Sequence, residues 1–481
     1  MKEQKDTSIL GRFGYKQELA RVLGIFSVLA ITLSAISPTT SVFLTYGVGL
    51  SQAGTGVVLA FIVGGIVAMA MALNFAELGS AFPIAGGSYS IVLRVLGKPV
   101  GFLAALIFLI LGLVIDASIL VAGATYLHIL IPSLPANLMA VGFMMIITIL
   151  SLLRIGTASW ATAYMFIVEF AVILVFAVAS FIKPVQPASL IFVPKLFDAG
   201  GASVSVSIAA IAMAVVPALF AFNGYDWPLY FSEEAINARK SVARGIVISA
   251  ATAVIVETLS VAAALLATPS FSEAAAASMP LSYVAEKVLG HTGAVVVLVG
   301  VVIAMFDCAL AGNLGYMRIF YTSGRDGMWP PAVNRFFSRV HSRTQIPYLT
   351  AIFLGVGVSV FAYFSSLTAL ITFTGVLIVL LYLLIALSAL VSRITQPKLE
   401  RPFRMILWPL PPIIALLGGA FALAQQSKTD LLISAGLLIF GLLYYIVYLR
   451  RRLANVSFLS TDLATGGGGA RDDNSRGSMS V

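Results

Sequence analysis

Two polar interruptions inside long apolar runs carry the residue patterns in this 481-residue chain best suited to holding a ligand. The first, Ser37-Pro38-Thr39-Thr40-Ser41, lies at the centre of LSAISPTTSVFLTYG; the second, with Asn223, Gly224, Tyr225, Asp226 and Pro228, lies in FAFNGYDWP. In an apolar medium every backbone N–H and C=O must find a partner, so a broken helix survives where the freed groups line a cavity or are buried in protein. Pro38 removes a helix donor and clashes with the preceding turn, yet it suits the first turn of a new half-helix. The amides of Thr39, Thr40 and Ser41 then point from the positive end of that half-helix, an arrangement that binds a carboxylate. The second break ends a half-helix near Phe220–Asn223 and frees carbonyls at its negative end, which suit an ammonium group. One end for a carboxylate and one for an amine describe an α-amino acid. A structural kink would account for either break alone, because neighbouring helices and hydroxyls can re-satisfy freed groups; two breaks at matched positions favour a binding cavity.

Six acidic residues fall within or at the edge of the apolar runs: Glu77, Asp116, Glu169, Asp226, Glu257 and Asp307. A charged carboxylate at the membrane centre costs at least about 2.5–3.5 kcal/mol, so each needs a cavity, a partner or a proton. Glu77 reads as a capping or gating residue, and Asp226, beside the second break, as a paired or gating one. Asp116, Glu169, Glu257 and Asp307 are the candidates for a titrating site, with Asp116 and Asp307 the favoured carriers of a coupling proton and a hydrogen bond to a neighbouring helix the alternative for each. Glu233 and Glu234, followed by Arg239, Lys240 and Arg244, read as exposed loop ion pairs that contribute little stability. Trp227, Tyr230, Trp329 and Trp408 read as packing or interface anchors. Cys308 is the single cysteine, which excludes an intrachain disulfide, and His128, His291 and His341 are far apart. No metal or cofactor is expected, and no nucleophile–base set points to an enzyme.

The elements that must position these residues are membrane helices. The chain is 60% hydrophobic and 10% charged, with a mean hydropathy of +1.02, against about 25% charged in an ordinary soluble domain. Apolar runs of about 20 residues, the length of a bilayer crossing, recur at 24–49, 57–79, 100–126, 135–153, 161–182, 206–231, 246–268, 293–322, 348–364, 367–392, 405–424 and 431–449. With both termini cytoplasmic, Lys183, Lys195, Lys287 and Lys428 fall on the outer side and the other 25 of the 29 basic residues on the inner side. That asymmetry is the one the positive-inside rule requires, so the net charge of +9 reports topology rather than a nucleic-acid partner. The expectation is a multi-pass protein of the plasma or bacterial inner membrane. It has a cytoplasmic segment at 1–23, no cleaved leader, a ten-helix core at 24–393, two further helices at 394–450, and a disordered tail at 451–481.

The breaks fall in the first and sixth runs, five helices apart, so they hold corresponding positions in repeats at 24–182 and 206–393. Five is odd, so the second repeat is inverted. Interrupted segments at matched places in two halves mark the site of a secondary transporter.

Three segments carry a family likeness. NFAELGSAFPIAGGSYS (Asn74–Ser90) resembles the stretch after helix 2 of amino acid permeases in the amino acid–polyamine–organocation superfamily. FAFNGYDWPLYFSEEAINARKSVARGI (Phe220–Ile246) resembles the family's helix 6 and following loop, and LGYMRIFYTSGRDGMWPPAVNRF (Leu314–Phe336) the end of its helix 8. The resemblance, over about residues 20–450, implies an all-α, 12-helix fold of the LeuT type: a 5+5 inverted repeat plus two C-terminal helices. It implies alternating access, with substrate between helices 1 and 6. Carboxylate contacts then fall on Thr39, Thr40 and Ser41 beside Ser37, amine contacts on Ile36, Phe220 and Phe222 beside Asn223, and the covering aromatics on Phe222 and Tyr225. Three departures stand out. Thr39-Thr40-Ser41 replaces the frequent Gly-Ser-Gly, Asn237-Ala238 replaces Asn-Pro, and Trp160 stands where some members carry a lysine implicated in proton coupling. Proton coupling is therefore an open question. The leading expectation is an amino acid transporter; the alternatives are a polyamine or organic-amine carrier and an exchanger without ion coupling. No pore-loop signature supports a channel, and no soluble signalling domain supports a sensor.

Overall fold

Each of the twelve apolar intervals carries helix in the computed structural model, which describes residues 15–197, 203–277 and 279–453. Most of the expected tail and the first fourteen residues lie outside the described part. The first interval holds two helices, α1 (Ile25–Ile36) and α2 (Pro38–Ala53), and α3 (Val57–Ala81) follows. After the short α4 (Gly87–Val95) come α5 (Lys98–Leu130), α6 (Ala136–Ser151) and α7 (Ile155–Ile182). A single turn, α8 (Ser189–Phe192), leads into a small antiparallel pair, β1 (Lys195–Phe197) with β2 (Ser203–Ser205). The second half begins with α9 (Ile208–Ala221), α10 (Ala238–Ala267), the short α11 (Phe271–Ala276) and the long α12 (Pro280–Arg325). It continues through α13 (Pro331–Phe337), α14 (Tyr348–Phe364), α15 (Leu367–Thr395), α16 (Leu410–Ala424) and α17 (Lys428–Tyr444). Among the described residues seven helical stretches are long and apolar enough to cross a membrane, with Ile25–Ala81 taken as one, and four further apolar helices run to 10–17 residues.

The two boundaries that differ most from the apolar intervals do so for local reasons. The eighth helix begins thirteen residues before its interval, at Pro280, a residue suited to a first turn, and bends at Gly290 (φ 71°, ψ 175°). The polar stretch holding Glu286, Lys287 and His291 is helical although it is not apolar. The sixth helix stops at Ala221, and residues 222–231 form turns and a short 3-10 segment at Trp227–Leu229.

Around the breaks, α1 packs on α7, α10 and α12, while α2 packs on α9 and α12. Helix α5 runs along α12 and α15, and α3 along α10 and α9. The first break is thus enclosed on several sides before any ligand is considered.

The end that carries residues 15–24 is closed by ions. Leu23 joins the loop after the second break through Leu23 N to Glu234 O (2.9 Å) and Ile236 N to Leu23 O (2.8 Å). Glu234 accepts two bonds from Arg318, at 2.6 and 2.9 Å, with both side chains 1% exposed. Arg325 grips Glu233 in the same two-toothed way, at 3.0 and 2.9 Å, and its guanidinium lies 4.1 Å from the centre of the Tyr15 ring. Tyr15 and Tyr89 donate to the two oxygens of Asp326, at 2.9 and 3.0 Å. Burial pushes the Asp326 carboxyl up from the usual range, against the opposing pull of Arg325 and Arg94.

The sequence expectation for Glu233 and Glu234 is therefore corrected. Both are buried, and their partners come from the end of α12, more than eighty residues on, while Arg239 pairs with Glu400 at 3.0 Å. Glu77, likewise, is an ion-pair centre at this end. It accepts from Arg393 at 2.8 and 2.6 Å and from Met405 N at 2.7 Å, with Arg401 at 3.2 Å.

Removing one partner of a buried ion pair strands the other, at a cost of about 3–5 kcal/mol. Glu234→Gln is expected to destabilise the protein on that scale, seen as earlier loss of monodisperse protein on heating in detergent. The double variant with Arg318→Gln should recover part of the loss.

Candidate functional site: the paired helix breaks

Ser37 is the residue on which the first break turns. Its backbone is left-handed (φ 46°, ψ 82°), which non-glycine residues adopt uncommonly. Its Oγ accepts from Thr40 N at 3.3 Å, capping α2, and its carbonyl accepts from Ser41 N at 2.9 Å. Of the three amides expected to face a ligand, that of Ser41 is therefore already used within the helix and that of Thr40 is capped at long range. Thr39 turns its hydroxyl outward, donating to Glu169 O at 2.8 Å.

The Ser41 hydroxyl does more than its amide. Oγ lies 2.9 Å from Ile36 O and 2.8 Å from Ala221 O, the carbonyls freed by the first and second breaks respectively. One hydrogen serves two acceptors, so this pair of carbonyls keeps capacity for a further donor. The breaks meet closely elsewhere too. A Cβ added to Gly224 (φ 113°) would lie 3.1 Å from Ile36 N, so this position requires glycine both for its backbone and for the approach. Cys308 Sγ, from α12, reaches Ala35 O at 3.3 Å.

Among the other expected ligand contacts, Ile36 and Phe220 are buried at the break ends. Asn223 donates to Tyr382 OH at 2.9 Å. The Tyr225 ring packs between Phe75 and Tyr382, each 6.0 Å away, and its hydroxyl is buried without a partner. Phe222, expected as a cover over the substrate, instead lies edge-on to Phe61 at 5.5 Å and against the α3 glycines Gly64 and Gly65.

The acidic candidates divide. Asp307 (α12) and Asp116 (α5) are buried, and all four of their carboxyl oxygens lack a hydrogen-bond partner. Asp116 sits in the notch left by Gly312, where an added Cβ would meet its Oδ1 at 2.4 Å. Trp160 is apart from them, 56% exposed on α7 beside Phe26 and Tyr164. Glu77 is apart as well, at the ion-paired end.

Glu169, one of the acids the sequence offers as a titrating group, is the one that meets the first break. It is fully buried on α7, and its Oε2 lies 2.7 Å from Ser37 Oγ at the hinge of the first break. Asp307 and Glu257 act on it electrostatically, and no lysine, arginine or histidine does so among the described residues. Its burial and its lack of a nearby base in sequence were visible; the contact across 132 residues was not.

At the end opposite the ion pairs, a cavity of about 380 Å³ opens beside α2, lined by Phe43, Gly47, Ser51, Met279, Leu367 and Thr372 among others. Among the described residues no group of His, Cys, Asp and Glu could hold a metal ion.

Removing the Ser41 hydroxyl leaves two buried carbonyls short of a donor, at about 1–3 kcal/mol. Ser41→Ala is expected to lower the melting temperature of the ligand-free protein in detergent accordingly; no change would mean that the hydroxyl does not tie the breaks together.

Paired broken helices inside a bundle of apolar spans are the architecture of a carrier, and comparison with known proteins agrees. The chain belongs to the amino acid permease family, whose sequence profile matches residues 23–446. It is 26% identical over 460 residues to the branched-chain amino acid permease BcaP of Bacillus subtilis, covering 91% of this chain and 94% of that protein. The Lactococcus lactis protein of the same name is 25% identical (90% and 95% covered), and a methylthioribose transporter of B. subtilis 22% (86% and 90% covered). Among solved structures, the fold resembles Mhp1, a nucleobase–cation symport transporter captured closed with bromovinylhydantoin bound. The TM-score is 0.53 at 16% identity, with 89% of this chain and 95% of that one covered. With its family and its apolar helices, the chain is a multi-pass membrane protein.

Proposed function

We propose that this protein moves amino acids across the cell membrane by alternating access, binding them between the α1/α2 break and the α9 break. The observation that carries this reading is the Ser41 hydroxyl held between the two freed carbonyls, Ile36 O and Ala221 O. A primary ammonium, with three donors where the hydroxyl has one, satisfies both carbonyls at once. The first turn of α2, with the Thr39 amide and the loosely capped Thr40 amide, then takes the carboxylate at its positive end. The proposed frame is twelve crossings, an inverted five-helix repeat with two added helices, and both termini in the cytoplasm. On that topology the ion-paired end is a closed inner gate, and the 380 Å³ cavity faces outward. Asp116 and Asp307, together with Glu169 at the hinge, are the proposed carriers of a coupling proton; among the described residues no basic partner acts on the set. The names of the BcaP relatives make leucine, isoleucine and valine the first substrates to try.

The same acids support a second reading, a carrier of polyamines or other organic amines, which would use carboxylates in place of the α2 amides. Counterflow in proteoliposomes separates the two. With a mixed amino acid preload, labelled leucine should enter and its decarboxylated analogue, 3-methylbutylamine, should not compete; a proton gradient should then drive uptake above equilibrium. Signal with putrescine alone, after a polyamine preload, would replace the first reading with the second.

Thr40→Pro keeps a residue tolerated in a first turn but deletes one of the proposed carboxylate donors. It is expected to abolish leucine counterflow while membrane insertion stays normal; wild-type counterflow in this variant would remove the amides from the site.

A further inference from the structure

A second polar pocket borders the second break at Asn223 and Asp226 and does not include the paired carbonyls. It has room for one water-sized sphere, about 10 Å³. Its walls include Asp226, Tyr316, Phe75, Phe108, Trp227 and Tyr382, drawn from five separate segments. Two of its polar atoms, Asp226 Oδ1 and Tyr316 OH, are buried without a hydrogen-bond partner, and their residues are 3% and 1% exposed.

The groups that meet Asp226 are known from each side. Tyr230 donates to Oδ2 at 2.5 Å and is joined to Ser88 at 2.6 Å, and Ser88 and the Asp226 amide act on the same carboxyl. Tyr225, Tyr316 and Tyr382 complete the titratable groups that act with it, and no lysine, arginine or histidine is among them. A buried carboxyl with one oxygen open and no base beside it is an incomplete arrangement. What would complete it is a small donor carrying positive charge. The rings favour the same ligand, since aromatic faces attract cations, most strongly when water is excluded. Trp227 spends its indole N–H on Ala311 O, at 2.9 Å, so it offers the cavity its ring rather than its donor.

We propose that this cavity is a second cation subsite, selective for an unsubstituted or singly substituted ammonium group, with Asp226 Oδ1 as its acceptor and Tyr316 OH as a second. It rests on the reading of the chain as a carrier of amine-bearing solutes, for which it supplies a holding point beyond the helix breaks as the ion-paired end opens. The closed volume admits ammonium, which is the size of water; methylammonium, one methyl larger, enters only as the ion-paired end opens, and tetramethylammonium has neither the size nor an N–H.

The test needs no transport, so its failure is distinct from failure of the transport reading, which counterflow reports. Ammonium and methylammonium chloride are titrated into the purified full-length protein at constant ionic strength while tryptophan fluorescence is followed, with Trp227→Phe assigning the signal to the cavity. A saturable change with both, absent with tetramethylammonium, is expected. Asp226→Asn should abolish it, and Tyr316→Phe, which keeps the ring and is the safer variant to fold, should move the midpoint to several-fold higher concentration. No saturable change, an equal response to tetramethylammonium, or wild-type titrations in both variants would overturn the proposal and leave a cavity that holds water.

Discussion

Inside hydrocarbon, a backbone amide or carbonyl that leaves its helix has no water to fall back on. Most of what surrounds the two breaks in this protein follows from that constraint. Ser37 stays in a left-handed conformation because its side chain and carbonyl take up the amides of Thr40 and Ser41. The Ser41 hydroxyl covers the carbonyls of Ile36 and Ala221 together, and Cys308 covers Ala35. The breaks are stable because side-chain hydroxyls stand in for the missing turns. They are also incompletely satisfied, because a hydroxyl has one hydrogen and two carbonyls await it. That shortfall leaves the paired carbonyls with capacity for a further donor.

The same economy explains the hydroxyl-rich segment Thr39-Thr40-Ser41. Glycine would bring a ligand closer to bare backbone. Here each hydroxyl has an assigned partner across a helix boundary: Glu169 for Thr39, Ser37 for Thr40, and the two carbonyls for Ser41. The segment is therefore bound to α7 and α9, and the carboxyl of Glu169 reaches the same hinge through Ser37. One buried acid is thereby tied directly to the hinge.

The two ends of the molecule are built differently. One is sealed by arginines that each meet a glutamate with two bonds, with the chain before α1 stitched to the loop after the second break. The other holds a wide, largely apolar cavity beside α2. Breaking one of those buried pairs by removing a single partner leaves a charge uncompensated, which is why that end is held so firmly.

Much of this was legible in the chain itself. The apolar intervals located every long helix, since hydrocarbon length and hydropathy are one-dimensional properties. Pro38 and the Asn-Gly-Tyr-Asp-Trp-Pro run located the breaks, since a lost donor is a local fact. The tertiary structure alone decided who meets whom. It set Glu169 against Ser37, Arg318 against Glu234, Asp116 into the notch at Gly312, and Trp160 and Glu77 away from the breaks. Those pairings span from tens to hundreds of residues and depend on which face each helix turns inward, and in helices apolar on every side the sequence carries no periodic signal to say so.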